Sequence, residues 1–232
     1  MGTLRWLSPG GAGEDFPPAG EALDEPNGLL AAGGDLAPTR LLAAYVRGIF
    51  PWYEQGQPIL WWSPNPRAVL WPDALTISRS LRRSIARRGY EISVDTSFDE
   101  VVAACAEPRR YGGSTWITAE MARAYGRLHG LGWAHSFEAW LGGELVGGLY
   151  GVAIGRVFFG ESMFTRATDA SKVALARAVE FLRDRDFALI DCQVASGHMA
   201  SLGARCIPRG QFLEHLAEYC TATAAPGAWR MP

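Results

Sequence analysis

The stretch "AHSFEAWLGGELVGGLYGVAIGRVFFGES", Ala134 to Ser162, settles the fold class. Two segments, 134–141 and 144–154, flank the pair Gly142-Gly143. A two-residue Gly-Gly connection suits a primed hairpin turn, whose central residues both need positive φ. A third segment, "RVFFGES", follows directly, so the stretch reads as a three-stranded antiparallel meander. Downstream the period becomes helical over about Ala170 to Arg185, with Val173, Leu175, Ala178, Val179 and Leu182 on one face. "FALIDCQV", Phe187 to Val194, then reads as a buried strand.

Upstream the pattern is mostly helical. "GGDLAPTRLLAAYVRG" carries Asp35 or a neighbour as cap, Pro38 in its first turn, an apolar face of Leu41, Leu42, Tyr45 and Val46, and Gly48 as its stop. "SRSLRRSIARRG" is an amphipathic helix capped by Ser78 and ended by Gly89. At about 100° per residue its Arg79, Arg82, Arg83 and Arg87 share one arc, opposite Leu81 and Ile85. "SFDEVVAACAE" opens with a capping box, Ser97 to Glu100, and "TAEMARAYGRLHG" begins at a Thr118 cap. Residues 1–15 read as a loose Gly-rich tail.

Between them lies "RGIFPWYEQGQPILWWSPNPRAVLWP", Arg47 to Pro72, with four of the nine Trp and five Pro, which reads as irregular backbone. The expected organisation is a small N-terminal domain, 1–66, ending in a loop, and a larger domain, 67–232. The fold class is α+β with a mixed sheet. Helices, a meander, a helix and a strand is the order of GNAT-like acyltransferase folds, whose cleft opens where central strands part. Members that use CoA hold its pyrophosphate on a Gly-rich turn at the next helix's N-terminus. The corresponding "ESMFTRATDASKVA" has no Gly, so CoA is not expected.

Composition excludes several classes. With 48% hydrophobic and 20% charged residues in 232, the chain is an ordinary globular protein, and a net charge of -2 rules out a broadly basic surface. The four Cys, at 105, 192, 206 and 220, show no CxxC spacing, which implies reduced, mostly buried thiols. The four His form no ligand pattern, so no metal centre is expected. No apolar run approaches twenty residues and the start lacks a signal-peptide pattern, which implies a cytoplasmic protein without membrane contact. No GxSxG turn or phosphate loop is present.

Three groups of residues remain as candidates for chemistry. Trp52 and Trp116 fall in turns, where exposed indoles can stack on a nucleobase for about 1–3 kcal/mol each, while Trp61, Trp62 and Trp71 read as packing. The arginine face carries no interleaved acid and suits an RNA backbone. Glu161 and Asp191 fall where strands should be interior, so each carboxylate needs a partner or a task. Gln193 lies on the same strand face as Asp191, with Ile190 and Cys192 on the other.

Together "PNGLLAAGGDL", "RGIFPWY", "LWWSPNPRAVL", "TWIT", "GGLYG", "GESMF", "SKVAL", "DCQV" and "HMASLGA" resemble the bacterial leucyl/phenylalanyl-tRNA–protein transferases, from about Phe16 to Arg209. The resemblance implies transfer of Leu or Phe from aminoacyl-tRNA to the N-terminal Arg or Lys of a protein, marking it for N-end rule degradation. It implies a GNAT-like C-terminal domain, no cofactor and no metal; a monomer is expected. By the same resemblance Trp52 and Trp116 would hold the tRNA 3′-adenosine, and Arg79, Arg82, Arg83 and Arg87 the tRNA body. Leu149, Phe158, Ile190 and Cys192 would line the aminoacyl side-chain pocket; Asp191, Gln193 and Glu161 would form the catalytic centre. The chain departs from typical members in its Gly-rich start and its C-terminal end. A CoA-dependent N-acetyltransferase and a non-catalytic RNA-binding module are the competing readings.

Overall fold

The computed structural model describes residues 4–11, 15–108, 116–221 and 227–231. The meander forms as expected: β7 (Ala134–Leu141), β8 (Glu144–Ile154) and β9 (Val157–Thr165) pair antiparallel in sequence. Gly142 and Gly143 both take positive φ, 60° and 81°, so the Gly-Gly pair supplies the primed turn that joins β7 to β8. These strands sit in a seven-stranded mixed sheet of order β11-β5-β10-β9-β8-β7-β6. The other members are β5 (Arg67–Leu70), β6 (Glu91–Val94), β10 (Leu189–Gln193) and β11 (Arg205–Ile207).

A second sheet, four-stranded and of order β1-β2-β4-β3, is built from β1 (Arg5–Leu7), β2 (Leu29–Gly33), β3 (Phe50–Pro51) and β4 (Leu60–Trp62). Two expectations are corrected here. Arg5–Leu7 is not loose tail but pairs parallel with β2, where Leu7 is buried. The Trp- and Pro-rich segment is not wholly irregular: it contributes β3, β4 and β5, because Trp61 fills the core and donates its indole N–H to the Gly33 carbonyl at 2.9 Å.

Alternation along the large sheet divides its side chains between two cores. Tyr150, Val152, Phe159 and Leu189 join one, against α1 (Pro38–Tyr45), α3 (Phe98–Cys105), α4 (Ala119–Gly130) and the C-terminal helix Arg209–Tyr219. Leu149, Ala153, Phe158 and Ile190 join the other, against α2 (Arg79–Arg87) and α5 (Ala170–Arg183). Each fully buried side chain of this size is worth about 1.5–3 kcal/mol. The small sheet shares the first core through Leu7, Leu30, Ala31 and Trp61.

Helix starts follow their caps with two corrections. Ser78 and Thr118 accept the backbone N–H of Leu81 and Met121 as expected. Ser97 occupies the N-cap of α3 but makes no side-chain cap, and α1 starts after Ala37, whose N–H Asp35 accepts at 2.9 Å. Val46 is exposed, and Arg40 and Ala44 take its expected place on the buried face of α1. Of the Cys residues only Cys105 is buried; Cys206 is exposed and Cys192 and Cys220 are half-buried, and none forms a disulfide. Among the described residues no helix is long and apolar enough to cross a membrane.

Candidate active site

Strands β9 and β10 are parallel neighbours, paired at Leu189–Val157, Ile190–Phe158 and Asp191–Phe159. Their pairing ends there, because β10 bulges against β5 between Asp191 and Gln193, and Gln193 takes φ +60°. A cleft of about 440 Å³ opens at this point. Leu149, Phe158, Leu175, Ile190 and Cys192 line its apolar part, Glu161 and Gln193 stand at its polar part, and Trp52 and Trp116 also line it. Every cleft residue expected from the sequence is thus brought together. The arginine face is elsewhere: Arg79, Arg82, Arg83 and Arg87 are exposed on α2 and make no ion pair among the described residues, while Leu81 is buried beneath them.

Asp191 is fully buried and bound on both oxygens. Arg67 Nε donates to Oδ1 at 2.8 Å and Nη2 to Oδ2 at 2.7 Å, a bidentate pair whose side chains are both 0% exposed. The guanidinium lies between the rings of Phe50 and Phe212, at 4.7 and 4.6 Å, and its Nη1 donates to the Gly48 carbonyl. Asp191 Oδ1 also accepts the backbone N–H of Gln193 at 2.9 Å. The carboxylate therefore fixes the backbone that carries Gln193. Arg67 is absent from the candidates that the sequence offers, although its position as the lone cation opening the apolar strand "RAVL" is a signal that a buried anion exists.

Glu161 is 8% exposed and sits among phenols. Its Oε1 accepts from Tyr45 Oη at 2.7 Å and Gln193 Nε2 at 2.9 Å, and its Oε2 from Tyr125 Oη at 2.6 Å. Burial pushes the Glu161 carboxyl up to about 7, and the nearby Asp191 charge adds to this against the lowering by the phenol and Gln193 hydrogen bonds. Burial, with the Glu161 charge second, raises the phenols of Tyr45, Tyr125 and Tyr150 well above their ordinary range. The sequence pattern places Tyr45 on the apolar face of α1, and no spacing links any of the three Tyr to Glu161.

The remaining groups set the edges of the cleft. Trp52 is 44% exposed, and Trp62 steadies it by donating its indole N–H to the Trp52 carbonyl at 2.7 Å with the rings 5.7 Å apart. Burial raises the Cys192 thiol far above its ordinary value, which makes it an apolar wall and no nucleophile. His198 lines the cleft with its imidazole shifted down, by burial first and Lys172 second. No group of three His, Cys, Asp or Glu among the described residues is arranged to hold a metal.

A leucyl/phenylalanyl-tRNA protein transferase family model matches residues 69–217, and the family's N-terminal domain model matches 34–65. The leucyl/phenylalanyl-tRNA–protein transferase of Aromatoleum aromaticum is 58% identical over 97% of this chain and 94% of its own length. That of Stutzerimonas stutzeri is 59% identical over 93% of this chain and 95% of its own. Among solved structures, a GCN5-related N-acetyltransferase from Kribbella flavida superposes over 74% of this chain and 61% of its own, with a TM-score of 0.38 at 14% identity. L-PGS from Bacillus licheniformis covers 72% and 53%, with a TM-score of 0.40 at 13% identity. Matched along both of its parts by the family models and along nearly its whole length by such relatives, the chain belongs to the leucyl/phenylalanyl-tRNA–protein transferase family.

Proposed function

We propose that this aminoacyltransferase moves Leu or Phe from its tRNA to the N-terminal Arg or Lys of a protein, as a monomer, and so marks that protein for N-end rule degradation. One observation carries the reading: a single cleft joins an apolar end, a carboxylate end and two indoles. The aminoacyl side chain enters between Leu149, Phe158, Ile190 and Cys192. The 3′-adenosine stacks on Trp52 and Trp116, and the cationic acceptor terminus faces Glu161.

The reaction forms an amide bond at the ester carbonyl, breaks the ester C–O bond, and returns the amine's proton to the departing ribose oxygen. An ester is already activated, so positioning supplies several kcal/mol of the barrier. Gln193 gives its Nε2–H to Glu161, which leaves its carbonyl oxygen to accept from the acceptor α-amine. Asp191 acts through Gln193, by holding its backbone N–H and so the position of its side chain. A CoA pyrophosphate is disfavoured at the start of α5, where the Asp169 carboxylate already stands, held by Ser84 and Lys172.

Transfer of radiolabelled Leu from tRNA to an Arg-initiated peptide tests this reading directly; acetyl transfer from acetyl-CoA, or tRNA binding without transfer, would replace it. Two variants refine it. Replacing Arg82 and Arg83 together by Ala is expected to weaken tRNA binding and flatten its salt dependence, with a small aminoacyl-adenosine donor used almost unchanged. Equal losses with both donors would make α2 a folding element only. Trp116→Ala is expected to weaken donor binding by about 1–3 kcal/mol at nearly constant melting temperature. A variant that mainly unfolds would remove Trp116 from the stacking role.

A further inference from the structure

Beyond the end of the matched family region at residue 217, the chain returns to the sheet and inserts one side chain into the second core. Trp229 is 7% exposed, stacked on His135 at 3.6 Å with the rings 5° apart, and packed against Phe181 at 5.2 Å and Phe187 at 5.7 Å. Its backbone N–H donates to Asp95 Oδ2 at 3.1 Å, and Asp95 also binds the His135 ring and the Ser136 N–H. On one side the backbone of Gly227 passes so near Gly132 that a Cβ there would lie 2.9 Å from it. On the other, Arg185 Nη2 donates to the Arg230 carbonyl. The segment 227–231 is therefore anchored on both sides of the indole.

The indole also touches a wall of the cleft from behind. Trp229 does not line the cleft, but Phe158 does, and their ring centroids are 6.3 Å apart. Phe137 backs both rings, at 6.2 Å from Phe158 and 6.1 Å from Trp229. At another edge of the Phe158 ring, a Cβ on Gly151 would meet it at 2.6 Å. Phe158 is thus bounded by Phe137 and by the backbone at Gly151, and Trp229 fills space behind it. Interiors packed this closely transmit the removal of one large ring to its neighbour, because the gap left behind has no other atoms to fill it.

We propose that Trp229 is a specificity-determining residue: it holds the Phe158 ring forward and so limits the depth of the apolar end, and with it the size of side chain that fits there. This rests on the reading that the apolar end receives the aminoacyl side chain. The test uses the full chain, one Arg-initiated peptide, and tRNA donors carrying Leu, Phe or Trp. In Trp229→Ala the kcat/KM of the Trp donor relative to the Leu donor is expected to rise about tenfold, the scale on which apolar pockets discriminate size. Acceptor KM stays at its parental value, and Trp229→Phe returns the ratio close to the parental one. Trp229→Leu, which keeps more of the core filled, gives the same direction of change should the Ala variant fold poorly. A fall in melting temperature with the donor ratio unchanged in both variants overturns the proposal and leaves Trp229 a core residue. Phe158→Ala separates the two levels: if it too leaves the ratio unchanged, the apolar end does not hold the side chain at all. If Phe158→Ala shifts the ratio and the Trp229 variants do not, only the role of Trp229 falls.

Discussion

Arg67→Met is expected to destabilise the protein by about 3–5 kcal/mol, because it leaves the Asp191 carboxylate without its bidentate partner at a site with no exposure. The loss is read as a lower midpoint in urea at unchanged slope. Lys at position 67 should rescue little, since one ammonium cannot meet both oxygens of Asp191, reach the Gly48 carbonyl and lie flat between Phe50 and Phe212. The informative variant pairs Arg67→Met with Asp191→Leu. Replacing a buried ion pair by apolar side chains is often neutral or stabilising, so this variant should regain most of the lost stability. Transfer should not return with it, because the Gln193 N–H loses its acceptor and the backbone at φ +60° its anchor. Asp191→Asn, which keeps the shape and breaks the pair, is expected to lower transfer by about 10²-fold, the scale on which displacement of a positioning group costs rate. Parental transfer in the stable double variant would show that Asp191 serves folding alone.

Arg67 also marks where sequence reading stopped. The meander was legible because Gly-Gly punctuates two long runs, and α2 because its Arg and Leu positions obey one helical period. The cleft residues followed from family resemblance and from strand alternation through Asp191, which the structure keeps. The strands β1 to β6 and β11 carry no legible pattern: they are two to five residues long, too short to show a period, and most of their partners are far away in the chain. Arg67 pairs with a residue 124 positions distant, and Tyr45 meets Glu161 across 116. Such contacts depend on the packing of two sheets and several helices, which no local pattern encodes. The C-terminal Trp229 escaped for the same reason, since a lone Trp near a chain end carries no sign of the socket that receives it.

The phenol cluster leads to the second large effect, at Glu161. Tyr45 and Tyr125 each carry one hydroxyl hydrogen, yet there are three short contacts to fill: Tyr45 to Oε1 at 2.7 Å, Tyr125 to Oε2 at 2.6 Å, and Tyr45 to Tyr125 at 2.7 Å. An ionised Glu161 leaves one contact with two lone pairs face to face. A protonated Glu161 supplies the missing hydrogen and closes the ring, which agrees with a carboxyl pushed by burial up to about 7. The folded protein therefore favours the neutral acid. Its contribution to stability is fully present below the ordinary carboxyl value of about 4.5 and is lost as pH rises through about 7. Glu161→Gln, a mimic of the neutral acid, should match the parent near pH 4.5 and exceed it in stability by pH 8. Function should move the other way. If the ionised carboxylate receives the cationic acceptor terminus, acceptor kcat/KM of the parent rises through pH 7, while Glu161→Gln loses about 10²-fold at pH 8 and responds little to pH around 7. Binding of an Arg-initiated peptide near pH 7 should also release a proton, seen as a dependence of the calorimetric binding heat on the ionisation enthalpy of the buffer. A Gln variant that kept the parental pH profile would place the titrating group elsewhere. A parent more stable than the Gln variant at pH 8 would mean that the phenols hold Glu161 as an anion, and that its charge is present before any acceptor arrives.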